Sequence, residues 1–342
     1  MKKQTLKKTF NFLILLLVTV LVLFFSLKDN YKETIEILKT LNPIWIVVSV
    51  FLVASYWFFK TISLNKIIQK FKKNYGFMKT FKFVLQINFF NAITPFSSGG
   101  QPYEIYYLKK EKLKMADATT ITIQKFVVYQ IALVVLGIIA IICNHIFGIF
   151  KENDLLKQLV TIGFIVNFLV TLILFVLAFT KRINKFIIKT LINLMEKVKI
   201  VKNKEEKINK FNKYINELYD GTKKLLNNKK EFVGMIVLNF LSLICLYLVP
   251  LTLLYSTGDY QSFNGLISIV SSAYVMLIGS FVPIPGGTGG LEYGFMKFYG
   301  AFIKGGTLTA IMIMWRFVTY YIPMVIGSIA LGISGKRKEV WE

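Results

Sequence analysis

Arg316 lies in an apolar run of the sequence, where an arginine needs a negatively charged partner. This arginine lies about ten residues into the last apolar run of the chain, 307–333, between two aromatic residues. An unpaired guanidinium in apolar surroundings costs on the order of several kcal/mol, so a carboxylate is expected close by. Glu292 is the first candidate for this partner, and Glu104 is the second. The pair could be a structural ion pair that locks helices together, or part of a site in which the guanidinium binds phosphate oxygens.

Two segments rich in glycine and proline carry these carboxylates, and they resemble each other. The first reads TPFSSGGQPYEIYYL and the second reads VPIPGGTGGLEYGFM. Pro95 lies nine residues before Glu104, and Pro283 lies nine residues before Glu292, with a glycine pair in between in each case. The alternative interpretation is that these prolines and glycines simply end helices, as they do in ordinary loops.

The elements that must position these residues are membrane-spanning helices. Of the 342 residues, 55% are hydrophobic, and the mean hydropathy is +0.57. A soluble domain of this length has too little interior to bury so many apolar side chains, whereas a bilayer supplies apolar solvent. The expected fold class is therefore an all-α polytopic membrane protein.

The apolar runs are numerous and most are long enough to cross a bilayer, which takes about twenty helical residues. The first is interpreted as a retained span and not as a cleaved signal peptide, because no small-residue cleavage site follows it. The runs cover residues 10–27, 43–59, 83–96, 119–143, 158–180, 232–256, 264–283, 288–303 and 307–333.

The loop charges predict the orientation. Residues 60–82 hold seven lysines and no acid, and residues 181–231 hold fifteen lysines or arginines against six acids. Loops of this kind stay on the cytoplasmic side. Both termini are basic and are also expected on the cytoplasmic side. The protein is predicted to span a bacterial cytoplasmic membrane several times. The excess of 42 basic over 18 acidic residues then favours anionic inner-leaflet lipids as partners, and not nucleic acid.

The short run 83–96 has lysine clusters on both sides, so a single crossing would leave one cluster outside. A re-entrant hairpin satisfies both flanks. A second hairpin at 264–303, entering from the other side, gives six full spans and an inverted repeat; the alternative is eight spans.

Interrupted segments in corresponding halves indicate the central site of a transporter, and helix N-termini there would offer N–H groups to an anion. The candidate binding residues are Glu292, Arg316, Gly99, Gly100, Gln101, Glu104, Gly286, Gly287, Gly289 and Gly290.

Two further features concern position and not chemistry. Lys125 lies near the end of its span and is expected to extend its ammonium to the interface as an anchor. The chain is expected to be one domain, 1–342, into which residues 181–231 insert as a basic amphipathic helical segment. This segment either lies on the inner leaflet or extends into the cytosol as a solvated hairpin.

Side chains of the kind that bind metals or form covalent intermediates are few. His145 is the only histidine, and Cys143 and Cys245 lie inside apolar runs without a CxxC pair. No phosphate loop, nucleotide fingerprint or nucleophile–base pairing is present. Neither a metal, a cofactor nor ATP hydrolysis is therefore expected.

Three motifs in order, TP-x3-GGQP-x3-YYL, PIPGGTGGLE and WRFVTYYIPMVIG, resemble the flippase-like membrane domain of the lysylphosphatidylglycerol synthase family, the multiple peptide resistance factors. The resemblance covers roughly residues 10–333. Glu292 and Arg316 match the family pattern, whereas at Gln101 and Glu104 many relatives carry an acidic and then a basic residue. Only GKRKEVWE follows the last span, so the synthase module of the full-length relatives is expected to be missing.

This resemblance implies a flippase-like transporter that moves an aminoacylated phospholipid of the lysylphosphatidylglycerol type, or a related lipid, from the inner to the outer leaflet. Glu292 would recognise a cationic group such as the lysyl amine, and Arg316 would hold the phosphate. Two alternatives are a phosphatidylglycerol lysyltransferase acting with a separate synthase partner, and a non-transporting membrane scaffold. A homo-oligomer is compatible with each.

Overall fold

The computed structural model describes residues 30–150, 154–183, 185–186, 190, 192–193, 204–279 and 284–336. Regular structure within these residues is helical throughout. The predicted first span, 10–27, lies outside them. The expected all-α polytopic membrane fold is confirmed. In chain order the helices are α1 (Tyr31–Thr40), α2 (Pro43–Gln69), α3 (Phe77–Ala92), α4 (Gly100–Lys110), α5 (Met115–Phe147), α6 (Asp154–Phe179), α7 (Lys204–Leu226), α8 (Lys229–Tyr247), α9 (Val249–Ser256), α10 (Gly265–Gly279), α11 (Gly290–Tyr299), α12 (Gly305–Arg316) and α13 (Ile322–Lys336).

Four helical stretches of the described chain are long and apolar enough to cross a membrane: α2, α5, α8 with α9, and α12 with α13. Their lengths of 27, 33, 28 and 28 residues correspond to about 40 Å or more at about 1.5 Å per residue, which exceeds the hydrocarbon core of about 30 Å. Local signals set the ends of these helices. The Asn42 side chain accepts a hydrogen bond from the Ile44 N–H at the start of α2, and Gly148 adopts a left-handed conformation (φ 59°) at the end of α5.

Two helical hairpins lie between these long helices. Hairpin 1 is α3 and α4 joined by a 3-10 turn at Pro95–Ser97, and hairpin 2 is α10 and α11 joined by a 3-10 turn at Pro285–Gly287. The arms pack against each other within each hairpin, and the two turns contact one another. The arms contain 16, 11, 15 and 10 residues, so each extends about 15–24 Å and falls short of a full crossing. The helix lengths agree with two hairpins and not with eight spans.

The turns show that the sequence-based register of the repeat is wrong. Pro95 begins the turn of hairpin 1, and the residue that begins the turn of hairpin 2 is Pro285, not Pro283, which lies outside the described residues. Phe96 and Gly286 follow with matching conformations, φ 54° and φ 64°. The glycine pair before Gln101 therefore corresponds to the pair at 289–290, because each pair begins a helix. The equal nine-residue spacing from proline to glutamate therefore did not identify equivalent positions in the two hairpins. The matching backbone conformations of the two turns do.

Polar contacts tie the apolar elements together. In hairpin 2, the Tyr299 hydroxyl donates to the Ser268 carbonyl at 3.0 Å and shares a hydrogen bond with the Ser272 hydroxyl at 2.7 Å, so α10 and α11 are linked in a fully buried setting. In hairpin 1, the Gln86 amide in the middle of α3 donates to the Ala330 carbonyl of α13 at 2.9 Å. Such bonds are stabilising where no water competes for them.

The described half of the 181–231 segment packs on the helical bundle. Helix α7 contacts α5, α6 and α8. The Tyr214 hydroxyl donates to the Thr119 hydroxyl at 2.7 Å, and the Gln124 amide donates to the Thr222 hydroxyl at 3.0 Å. Ile215, on the predicted apolar stripe, is buried. One face of α7 thus packs laterally against α5. That the segment lies on the cytoplasmic side, either on the inner leaflet or as a solvated hairpin, stays a prediction.

Candidate functional site

A cavity of about 450 Å³ lies where the tips of the two hairpins meet. Side chains of α2, α5, α6 and α12 complete its wall. Phe96, at the tip of hairpin 1, is 61% exposed and also lines the cavity, so the cavity reaches the protein surface at this tip. Its wall combines aromatic rings with polar and charged groups. The charged side chains among the described lining residues are Lys60, Glu104, Lys125 and Arg316.

Arg316 pairs with Glu292, the partner that the sequence indicated first. The guanidinium Nε lies 2.7 Å from the carboxylate Oε1, and the two side chains are only 5% and 6% exposed. The other carboxylate oxygen, Oε2, accepts the Gly289 N–H at 2.7 Å. A second guanidinium nitrogen donates to the Gly286 carbonyl and to the Thr288 hydroxyl, both at 3.2 Å. These contacts fix the tip of hairpin 2 against α12.

Arg316 also connects hairpin 2 to hairpin 1. The helix continues beyond it as a π-helical turn, Phe317–Tyr321, which places the Tyr320 ring under the guanidinium at 4.3 Å from Cζ to the ring centroid. The Tyr320 hydroxyl donates to the carbonyl of Ala92 at 3.0 Å, at the last residue of α3. π-helical turns of this kind are frequent at functional sites. Here the turn lets one residue contact the cation while its hydroxyl reaches the other hairpin.

Hairpin 1 carries a corresponding ion pair. Glu104 of α4 is 1% exposed, and its carboxylate pairs with the ammonium of Lys125 on α5, a side chain that is 19% exposed. The expectation that Lys125 extends to the interface as an anchor is therefore wrong, since a buried carboxylate holds it at the cavity wall. Each pair joins the short helix after a tip to the long helix that follows. Lys125 lies ten residues after Met115 at the start of α5, and Arg316 lies eleven after Gly305 at the start of α12.

Lys60 is a third cation at the cavity, and the sequence did not identify it. Its ammonium donates to the Tyr56 hydroxyl at 2.8 Å and lies 4.7 Å and 5.2 Å from the ring centroids of Tyr56 and Tyr129. Glu104 interacts with it electrostatically from a longer distance. Lys60 was assigned to a lysine-rich loop, but α2 continues to Gln69. The signal that could have identified it is the spacing of Val53, Tyr56 and Lys60, which share one helix face and line the cavity.

The structure brings some of the predicted binding residues to the cavity and places the others behind it. Gln101, Glu104, Gly286, Gly287 and Arg316 line the cavity. Glu292 does not line it, because both of its oxygens face the Arg316 guanidinium and the Gly289 amide. The remaining predicted residues, which begin α4 and α11 and also do not line the cavity, are Gly99, Gly100, Gly289 and Gly290.

Three of the amide groups at the helix N-termini that were predicted to bind an anion already have partners. In hairpin 1, the Gly99 N–H donates to the Thr94 hydroxyl at 2.8 Å, and the Gly100 N–H donates to the Asn91 side-chain oxygen at 2.9 Å. In hairpin 2, the Gly289 N–H donates to Glu292. Side chains of the protein thus cap both helices, as first-turn amides require.

Two of the glycines allow the tips to pack closely. A Cβ atom on Gly100 would lie 2.2 Å from the Asn91 side-chain oxygen that caps α4. A Cβ atom on Gly286 would lie 2.1 Å from the Tyr320 ring, and its φ of 64° is a conformation that side chains other than glycine adopt at a cost. These glycines shape the backbone around the cavity. Within the described ranges, no three His, Cys, Asp or Glu side chains come together as metal ligands would.

Comparison with known proteins agrees with this architecture. Residues 11–327 match the family described as the lysylphosphatidylglycerol synthase TM region. A UPF0104 membrane protein of Archaeoglobus fulgidus is 23% identical over 94% of this chain and 95% of its own length. Two Mycoplasma proteins of unstated function are also similar: the MG306 homolog of Mycoplasma pneumoniae is 21% identical, and MG306 of Mycoplasma genitalium is 23% identical, over 96% and 97% of this chain and 88% of each of theirs.

Proposed function

This chain belongs to the lysylphosphatidylglycerol synthase TM region family, and from that premise we propose that it is a flippase-like transporter for a phospholipid. The proposed substrate is an aminoacylated phospholipid of the lysylphosphatidylglycerol type, or a related lipid, carried from the inner to the outer leaflet. The observation that carries the proposal is the charged cavity between the two hairpin tips, which reaches the surface of a bundle with an apolar exterior.

The cavity suits a lipid headgroup in size and polarity. Its volume of about 450 Å³ lies within the range of about 300–1,000 Å³ that is typical of small-molecule sites. Moving a charged phosphate through hydrocarbon costs much free energy. A polar cavity with lysine and arginine side chains lowers this cost, because these side chains bind phosphate oxygens. The acyl chains would stay outside against apolar side chains. On α6, next to the cavity residues Val166 and Asn167, the exposed residues Phe168, Leu169, Leu172 and Ile173 offer such a surface.

A leaflet-exposure assay tests this function. Purified protein is reconstituted into liposomes with a fluorescent phospholipid, and the fraction that an impermeant reductant bleaches is followed over time. Wild-type protein should expose inner-leaflet lipid faster than empty liposomes. Gln130→Trp, which fills the cavity from α5, should lose this activity. Val135→Trp, on the exposed side of the same helix, is the matched control and should keep it.

Two outcomes would contradict the proposal and favour another function. Wild-type protein that is folded but exposes no phospholipid would favour a scaffold. Lysyl lipid formed by purified protein from lysyl-tRNA and phosphatidylglycerol, above the level of a Glu292→Gln control, would favour the transferase.

A further inference from the structure

The charges around the cavity do not balance. Lys125 is neutralised by Glu104, and Arg316 is neutralised by Glu292. No carboxylate within the described ranges lies at ion-pair distance from Lys60. The described lining residues therefore include three cations and one carboxylate, and within the described part of the chain Lys60 is the lining cation whose charge no ion pair offsets. A lone ammonium away from bulk water is costly unless an anion accompanies it.

A second donor at the same cavity lacks an acceptor. Asn88, on α3 of hairpin 1, lines the cavity, and its side-chain amide nitrogen is buried without a hydrogen-bond partner in the described structure. Buried donors of this kind are rare in folded proteins and require an explanation. An amide N–H and an ammonium both supply hydrogen-bond donors and no acceptor. A ligand that satisfies both must present acceptor oxygens and negative charge.

The same cavity is poorly suited to a cationic headgroup. A lysyl amine needs an available carboxylate or an open aromatic face. Glu292 is occupied by Arg316 and the Gly289 N–H. Glu104 pairs with Lys125 through Oε1, and its Oε2 is buried without a hydrogen-bond partner in the described structure, but it is the single carboxylate beside three described cations of the lining. The rings of Tyr56 and Tyr129 already face the Lys60 ammonium. A second ammonium placed there would meet like charge in a region of low dielectric constant.

We infer that the lipid moved by this protein carries a net negative phosphate headgroup, which Lys60 and Asn88 bind, and that a lysylated headgroup is disfavoured. This inference rests on the proposed transport function, and of the substrates proposed there it favours a related phospholipid with a net negative headgroup over the lysylated one. It also changes the expected roles of two residues. Arg316 and Glu292 hold the tip of hairpin 2, whereas the phosphate is bound by Lys60 and Asn88.

Binding to the purified, detergent-solubilised chain tests the inference directly. Trp57 and Trp315 line the cavity, so tryptophan fluorescence can report titration with phosphatidylglycerol, lysyl-phosphatidylglycerol and phosphatidylcholine. Wild-type protein should bind phosphatidylglycerol about tenfold or more tightly than either other lipid, since the three phosphates are alike but the cationic group of the other two headgroups would meet the like charges of the cavity. Equal or tighter binding of the lysyl lipid would overturn the inference, and this comparison needs no variant.

Variants locate the site. Lys60→Met should weaken binding of phosphatidylglycerol about tenfold or more, and Lys60→Arg, which keeps the charge, should retain most of the affinity. Lys66→Met is the matched control, because Lys66 lies on the same helix but does not line the cavity; it should leave binding unchanged. Unchanged binding in Lys60→Met would overturn the assignment of the phosphate to Lys60. If Lys60→Met does not fold, Asn88→Leu tests the second donor with the same expected loss.

Two further experiments are needed. The first distinguishes failure of this inference from failure of the transport function, and the second distinguishes a lipid headgroup from a soluble phosphate as the ligand. In the leaflet-exposure assay, transport of lysyl-phosphatidylglycerol in preference to phosphatidylglycerol would overturn the inference while leaving the transport function standing. Transport of neither lipid would overturn the function itself. Soluble glycerol 3-phosphate should compete only weakly for the site. Competition as effective as that of the lipid would assign the site to a soluble phosphate and overturn the lipid assignment.

Discussion

Glu292 and Arg316 form an ion pair with 2.7 Å between carboxylate and guanidinium, and the two residues come from helices on either side of a turn. Glu104 and Lys125 form a pair in the other repeat with the same arrangement. Each hairpin is thus fastened, one turn or two beyond its tip, to the long helix that follows it. The pairs border one cavity, so a change in either alters the cavity wall.

Loss of either member of the Glu292–Arg316 pair should destabilise the protein. Glu292→Gln or Arg316→Gln leaves the other charge buried without a partner, which costs about 3–5 kcal/mol. The double variant should recover much of the loss, because no uncompensated charge remains. Thermal unfolding in detergent of all variants measures this. Lys297→Gln, at an exposed position of α11, is the control. Equal stability of both single variants and wild type would show that the pair does not fasten hairpin 2.

Removal of Lys125 should cost less than removal of Arg316. In Lys125→Met, the buried Glu104 still has Lys60 in its electrostatic surroundings. This second cation then offsets part of the lost attraction. The measurement is the midpoint of thermal unfolding for Lys125→Met, Arg316→Gln and the double variant Lys60→Met with Lys125→Met. The double variant should be the least stable of the lysine variants; a double variant as stable as Lys125→Met would contradict the compensation by Lys60.

Gly286→Ala should disrupt the tip of hairpin 2. The new Cβ would lie 2.1 Å from the Tyr320 ring, and the backbone φ is 64°. The conformation alone costs about 1–2 kcal/mol for a non-glycine residue, and displacement of Tyr320 would break its hydrogen bond to Ala92. Both unfolding temperature and lipid transport should fall. Gly332→Ala, where a Cβ meets no atom within 4 Å, should change neither; a similar loss there would mean that the effect is unspecific.

Cysteine accessibility tests the predicted orientation, after Cys143 and Cys245 are replaced by serine. A cysteine at Gln261 should react with an impermeant thiol reagent added outside intact cells, and a cysteine at Lys73 or Lys112 should react only after permeabilisation. The reason is that lysine-rich loops stay on the cytoplasmic side. Positions 73 and 112 flank hairpin 1, so they must behave alike if it is re-entrant. Labelling of position 112 alone from outside would contradict the re-entrant hairpin and the inverted repeat.

Some of the candidate site could be predicted from residue types alone, and some could not. The expectation that a buried Arg316 has an acidic partner followed from the cost of an isolated charge, and the structure contains that pair. The substrate-binding roles of Glu292 and the glycines stay predictions. Lys60 was not predicted as a cavity residue, because a lysine near the end of an apolar run is usually a loop residue. Only the continuation of α2 to Gln69 and the approach of hairpin 1 place it at the cavity.

The sequence by itself determined the class of the protein and the presence of two interrupted segments. Hydropathy and loop charge depend only on residues that are neighbours in the sequence. Apolar runs and lysine-rich loops can therefore be identified without knowing which helices pack together. Tertiary structure alone decided the rest: that the two turns meet, that Pro285 and not Pro283 corresponds to Pro95, and that no ion pair among the described residues offsets the charge of Lys60. Charge compensation depends on distances of a few ångströms between residues far apart in the chain, and only packing sets those distances.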